Sequence, residues 1–147
     1  MLHNIYNEVE LKGLIIMAKK KTETLVRLSE AESEIMSIIW GQNEPLTSTY
    51  ILEHLTSRTW ALSTVMTALA RLCEKGYIIC DRSTRTNYYS AIITHQDYQE
   101  KESRDFLKKI HKNSISSMVA ALNNSGSISE AEIEKLREIL KREKPRK

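Results

Sequence analysis

Between Leu28 and Ile92 the apolar residues keep a helical period through three short segments. Just after Gly76 they switch to a period of two. Few folds accommodate that order. Ser29-Glu30-Ala31-Glu32 has the form of a capping box, in which Ser29 accepts from a first-turn amide and Glu32 reaches back. Ala31, Ile35, Ile38 and Ile39 then follow at the spacing of one helix face, and Gly41, Asn43 and Pro45 end the segment. A second helix is predicted over Ser48–Ser57, with Ile51, Leu52 and Leu55 inward. A third is predicted over Leu62–Lys75, with Val65, Ala68, Leu69, Leu72 and Cys73 inward and Gly76 at the C-cap. Residues 77–81 and 87–92 read as strands around the polar loop Arg82-Ser83-Thr84-Arg85-Thr86. Helix, turn, helix, turn, helix, hairpin is the order of a winged helix-turn-helix domain.

The rest returns to a helical period. About Asp97 to Lys112 is highly charged, with Tyr98, Phe106, Leu107 and Ile110 as anchors. Ser114–Asn123 offers Ile115, Met118, Val119 and Leu122, and Asn124-Ser125-Gly126 makes a turn. Ser129-Glu130-Ala131-Glu132 repeats the capping box, and Ile128 with Ile133 has the spacing of a hydrophobic staple. Ile133, Leu136, Ile139 and Leu140 form a stripe. Three thin amphipathic helices enclose no core of their own, so a two-fold partner is expected to cover these residues. The expected fold is mainly α with a small β-hairpin: an irregular extension over 1–22, a winged helix over 23–93, and a helical dimerisation domain with a basic tail over 94–147. Met17-Ala18-Lys19-Lys20-Lys21 reads like a normal start of translation, so the expected start is Met17; an N-terminal arm docked on the body is the alternative.

Composition removes several classes. A chain of 147 residues, 41% hydrophobic and 28% charged, with 4 Gly and 2 Pro, is ordinary for a globular protein. No run approaches the roughly 18–20 apolar residues of a membrane-spanning helix, and Leu14–Met17 is too short for a secretory signal. Cys73 and Cys80 cannot build a disulfide framework, which points to a reduced, cytoplasmic protein. The cysteines and the four histidines form no metal-ligand pattern, and no nucleophile elbow, P-loop or dinucleotide fingerprint is present. No cofactor, metal or catalytic residue is therefore expected.

The third helix carries Ser63, Thr64, Met66, Thr67, Arg71 and Lys75 away from its apolar face. Small polar residues at the start of a helix let it approach base edges, and Arg or Lys can pair with phosphate or guanine. The helix N-terminus itself favours a phosphate. Taken alone, such a face also fits a solvated amphipathic helix; followed by a wing, it points to double-stranded DNA. Arg82 and Arg85 at the hairpin tip point the same way. The segment Arg58–Tyr88 carries a net +3, equal to the charge of the whole chain, so the positive field is local. Trp60 reads as a buried turn residue or a stacking platform, Trp40 as core, and Tyr88 and Tyr89 as one exposed and one buried.

These residues resemble the BlaI/MecI family of penicillinase and methicillin-resistance repressors, which also includes the copper-responsive CopY repressors. The matching stretches are Leu28–Glu32 with Ile35-Met36 and Ile39-Trp40, Trp60–Val65 with Leu69–Leu72, Lys75–Ile78, Tyr88-Tyr89, and Ser129–Leu140. The resemblance implies a homodimeric repressor that binds an inverted-repeat operator and blocks transcription. It places recognition at Ser63, Thr64, Met66, Thr67 and Arg71. At the helix start the family often has Pro and Lys or Ser where this chain has Leu62 and Ser63, and a basic residue where it has Met66. In the β-lactam-responsive members an Asn–Phe bond is cut under the control of a membrane sensor-protease, and Asp105-Phe106 stands at that place. The C-terminal cysteine pairs of the copper branch are missing, and Ser33 replaces a usual Trp. A protein-docking winged helix and a ligand-sensing regulator are the competing expectations.

Overall fold

The computed structural model describes residues 24–142, together with Asn7, Val9, Glu10, Lys12, Gly13 and Ile16. The expected start at Met17 and residues 143–147 of the basic tail lie outside the described residues; Lys141 and Arg142, which open that tail, are helical. The chain divides into two compact units between Lys101 and Glu102.

The first unit is a winged helix. Helix α1 spans Glu30–Trp40, α2 Ser48–His54 and α3 Leu62–Lys75; strands β1, Ile78–Asp81, and β2, Tyr88–Ala91, follow, then α4, His95–His111. The capping box of α1 forms as the sequence predicts: the Glu32 amide donates to Ser29 Oγ at 3.2 Å and the Ser29 amide to Glu32 Oε1 at 3.0 Å. Thr47 caps α2 by accepting from the Tyr50 amide. Helix α2 ends three residues earlier than its pattern predicts. Leu55 turns extended, at φ −85° and ψ 107°, and is buried there, while Ser57 leaves the helix and donates to Glu34. Gly76 adopts the left-handed φ of +83° that closes α3.

The two strands pair antiparallel, with Ile78 opposite Ala91 and Asp81 opposite Tyr88. Leu46 adds a bridge on the outer side of β2, exchanging both hydrogen bonds with Tyr89 at 2.9 and 2.8 Å. The core is one cluster. Ile35, Met36 and Ile39 meet Ile51, then Val65, Leu69 and Leu72, with Tyr77 and Ile78 closing it. Burying such side chains contributes roughly 1.5–3 kcal/mol each. The lead-in segment is tied to the end of α3, where the Tyr77 hydroxyl donates to Val26 O at 2.8 Å. The first turns of α4 belong to this unit. Trp40 Nε1 donates to Ile93 O at 2.8 Å, and the Trp40 ring packs on His95 and Tyr98.

The second unit holds the remainder of α4, then α5, Ile115–Asn124, and α6, Glu130–Arg142. Ser114 caps α5, and Gly126 makes the expected turn at φ +74°. Ser129 accepts from the Glu132 amide, but Glu132 pairs with Lys135 instead of reaching back, so the second capping box forms only by half.

Candidate nucleic-acid interface

Helix α3 turns Val65, Ala68, Leu69 and Leu72 into the core, which leaves its other side to solvent. Ser63, Thr64, Met66, Thr67 and Arg71 are all exposed there, as the sequence predicts. Ala61 supplies no side-chain cap, so the first amides of α3 stay open to an anion, reinforced by the helix dipole. The hydroxyl of Thr67 is turned back, donating to Ser63 O at 2.9 Å. Thr67 therefore offers a partner only a methyl and an acceptor.

Arg71, Arg82 and Arg85 have no ion-pair partner among the described residues. Both wing arginines are exposed on the six-residue loop between β1 and β2. The loop is shaped from within: Asp81 Oδ1 accepts from the Ser83 amide at 2.9 Å, and Thr84 Oγ1 donates to Thr86 O at 2.8 Å. The Ser83 hydrogen bonds hold the Asp81 carboxyl below its ordinary pKa. It stays charged at the base of the loop that carries Arg82 and Arg85.

Lys75 is held within the domain. The sequence places it with the DNA-facing residues, but its Nζ donates to Glu32 Oε1 at 2.7 Å and to Arg27 O at 3.4 Å. The pair is largely enclosed, with side-chain exposures of 23% for Lys75 and 5% for Glu32. Burial by itself pushes the Glu32 carboxyl up; the hydrogen bonds from Lys75 and Ser29 outweigh it and hold the group below its ordinary value. Lys75 thus fastens the end of α3 to the start of α1.

Arg58, which the sequence counts only as charge, is stacked. Its guanidinium lies 4.2 Å from the centre of the Trp60 ring. Trp60 is buried, as expected for a turn residue, and its Nε1 has no hydrogen-bond partner among the described residues. Nothing local in the sequence announces that stack beyond the i, i+2 spacing. Tyr89 is the buried tyrosine and Tyr88 the exposed one. Cys73 and Cys80 are free and half-buried, and burial pushes the Cys73 thiol up, away from reactivity. Among the described residues no group of three or more His, Cys, Asp or Glu could hold a metal ion, and no helix is long and apolar enough to cross a membrane.

In the second unit α5 and α6 bury none of their residues. Ile115, Leu122, Leu136, Ile139 and Leu140 are exposed, and Met118, Val119 and Ile133 are half-buried. Asp105 and Phe106 lie within α4; Phe106 is 51% exposed and packs on His111, not in a core.

A winged helix whose outward face and wing tip both carry unpaired guanidinium groups has the build of a DNA-binding regulator. Comparison with known proteins narrows the class. The chain belongs to the penicillinase repressor family, whose profile matches residues 28–142. It is 32% identical over 113 residues to the methicillin resistance regulatory protein MecI of Mammaliicoccus sciuri, covering 77% of this chain and 92% of that one. It is 33% identical over 121 residues to the penicillinase repressor of Bacillus licheniformis, covering 82% and 94%. The solution structure of the monomeric form of BlaI from Bacillus licheniformis, in complex with the blaP half-operator, aligns with 50% of this chain and 90% of that one. The identity there is 29% and the TM-score 0.43. The family consists of transcriptional repressors, which are not enzymes.

Proposed function

We propose that the chain represses transcription by occupying an inverted-repeat operator as a homodimer. The observation that carries this is the outward face of α3, where exposed Ser63, Thr64 and Thr67 stand beside Arg71, which, like Arg82 and Arg85 on the wing, has no ion-pair partner among the described residues. In such an arrangement the arginines supply salt-dependent affinity for phosphates, and the short side chains of α3 meet base edges in the major groove. Two recognition helices about one helical turn apart would read two half-sites, and the bound dimer would exclude polymerase. The exposed stripes of α5 and α6 support a second copy as the cover for the C-terminal unit. In sedimentation, Ile139→Lys is expected to shift the protein toward the monomer; an unchanged dimer would remove α6 from the interface.

Release by cleavage of the Asp105–Phe106 bond by a sensor-controlled protease belongs to the same reading. The bond sits in regular helix, so α4 must open locally before a protease can take it. A repressor of this kind works in the cytoplasm. The test is fluorescence anisotropy on duplexes tiled across the chain's own upstream region, at two salt concentrations, with random duplex as competitor. One tile bound far above random DNA, with steep salt dependence, is the expected result. Equal weak binding on every tile would favour a protein-docking winged helix.

A further inference from the structure

We propose that α3 reads thymine 5-methyl groups through an apolar row of its own, formed by Leu62, Met66 and Ala70. The proposal rests on the operator-binding reading above and adds which feature of the base pair is sensed.

The three residues fall at i, i+4 and i+8, a single ridge along the outer side of the helix. Leu62 is 46% exposed and Met66 40%, and Ala70 is exposed beside them. One exposed leucine is unremarkable. Two large apolar side chains in one row, on the face that also carries Arg71, form a strip with a direction. The parallel row, Ser63, Thr67 and Arg71, is weaker in hydrogen-bond donors than it looks. The Thr67 hydroxyl hydrogen is committed to Ser63 O, so Thr67 adds a methyl and an acceptor beside the ridge.

The occupant follows from the surroundings. The ridge runs beside Arg71 on the same helix, and Arg58 before α3 and Arg82 and Arg85 on the wing, like Arg71, have no carboxylate partner among the described residues; that setting fits a polyanion. Within DNA, the major-groove edge has one apolar substituent, the 5-methyl of thymine. The rise of an α-helix sets Leu62, Met66 and Ala70 about 6 Å apart along the axis. That is just under two base-pair steps of about 3.4 Å. The N-terminal residues of a recognition helix approach the bases most closely, so Leu62 and Met66 carry most of the contact.

The test begins with selection of tight-binding duplexes from a random library by the full chain. The selected duplex is then remade with deoxyuridine for thymine, one position at a time, which deletes the methyl and leaves the hydrogen-bonding edge unchanged. Affinity is expected to fall about fourfold for each methyl that meets Leu62 or Met66, and about fifteenfold for two. With Met66→Ala, at an exposed site and with its fold checked by circular dichroism, one of these losses should disappear while the other stays. Full affinity for the deoxyuridine duplexes would overturn the proposal and leave operator binding standing. Losses that persist unchanged in both Met66→Ala and Leu62→Ala would also overturn it, since they would come from duplex stiffness. A library in which no sequence is enriched would defeat the operator-binding reading itself, and the ridge would then be a protein contact.

Discussion

Replacing Lys75 with Met separates a fold-holding lysine from a DNA-binding one. The ammonium makes a 2.7 Å hydrogen bond to Glu32 Oε1, and the carboxylate on the other side is 5% exposed. A hydrogen bond to a charged group contributes about 1.5–3 kcal/mol, and breaking a fully buried pair costs about 3–5 kcal/mol. Lys75 keeps 23% of its side-chain surface in water, so solvent recovers part of that loss. The methionine also retains the apolar contacts of the stem. About 2 kcal/mol remains, which for a domain of this size lowers Tm by roughly 8–16 °C. The assay is urea unfolding followed by far-UV circular dichroism, where Cm should fall with m unchanged. Combined with Glu32→Gln, the double variant should lose clearly less than the sum of the single ones, because the two groups touch. In parallel, the slope of log affinity against log salt on duplex DNA should stay as it is, whereas loss of a phosphate contact would reduce it by about 0.9. Unchanged stability with a slope shallower by that amount would refute the assignment and return Lys75 to the DNA.

Three further outcomes are expected. Arg82→Ala with Arg85→Ala should weaken specific and random duplexes alike and flatten the salt slope by about 1.8, measured by anisotropy from low to moderate salt. Glu32 has a depressed folded pKa, so its stabilisation is present above the ordinary value of 4.5 and is lost as pH falls through the lower folded value; urea midpoints measured downward from pH 5 should drop, and Glu32→Gln should flatten that drop. Gly76→Ala meets open space for its Cβ, so its cost comes from the φ of +83° alone, about 1–2 kcal/mol in the same unfolding assay.

Much of the winged unit is legible in the sequence because its boundaries are written in local chemistry. Ser29 with Glu32 opens α1, Gly76 closes α3, and the change of period marks the hairpin. The end of α2 is not legible, since Leu55 leaves the helix to reach a core that no local residue announces. The ion pair of Lys75 is hidden for a related reason. As a lysine beside exposed residues it looks solvent-facing, yet it lies seven positions from buried Ala68 and so on that residue's side of the helix. Its partner Glu32 stands 43 residues earlier, a distance at which sequence spacing carries no information. The hydroxyl of Thr67 and the stack of Arg58 on Trp60 are matters of rotamer, which a pattern of residue types cannot express.

The chain's two tryptophans give it a built-in optical readout. Trp40 is pinned through its indole nitrogen to Ile93 O beneath the first turn of α4, whereas Trp60 lies two residues before α3 with Arg58 over its ring. A phosphate drawing Arg58 away would change the electrostatic environment of one fluorophore and leave the other as an internal reference. With Trp40 exchanged for Phe, the emission of the remaining indole would report on the start of α3 alone, without any dye attached to protein or duplex.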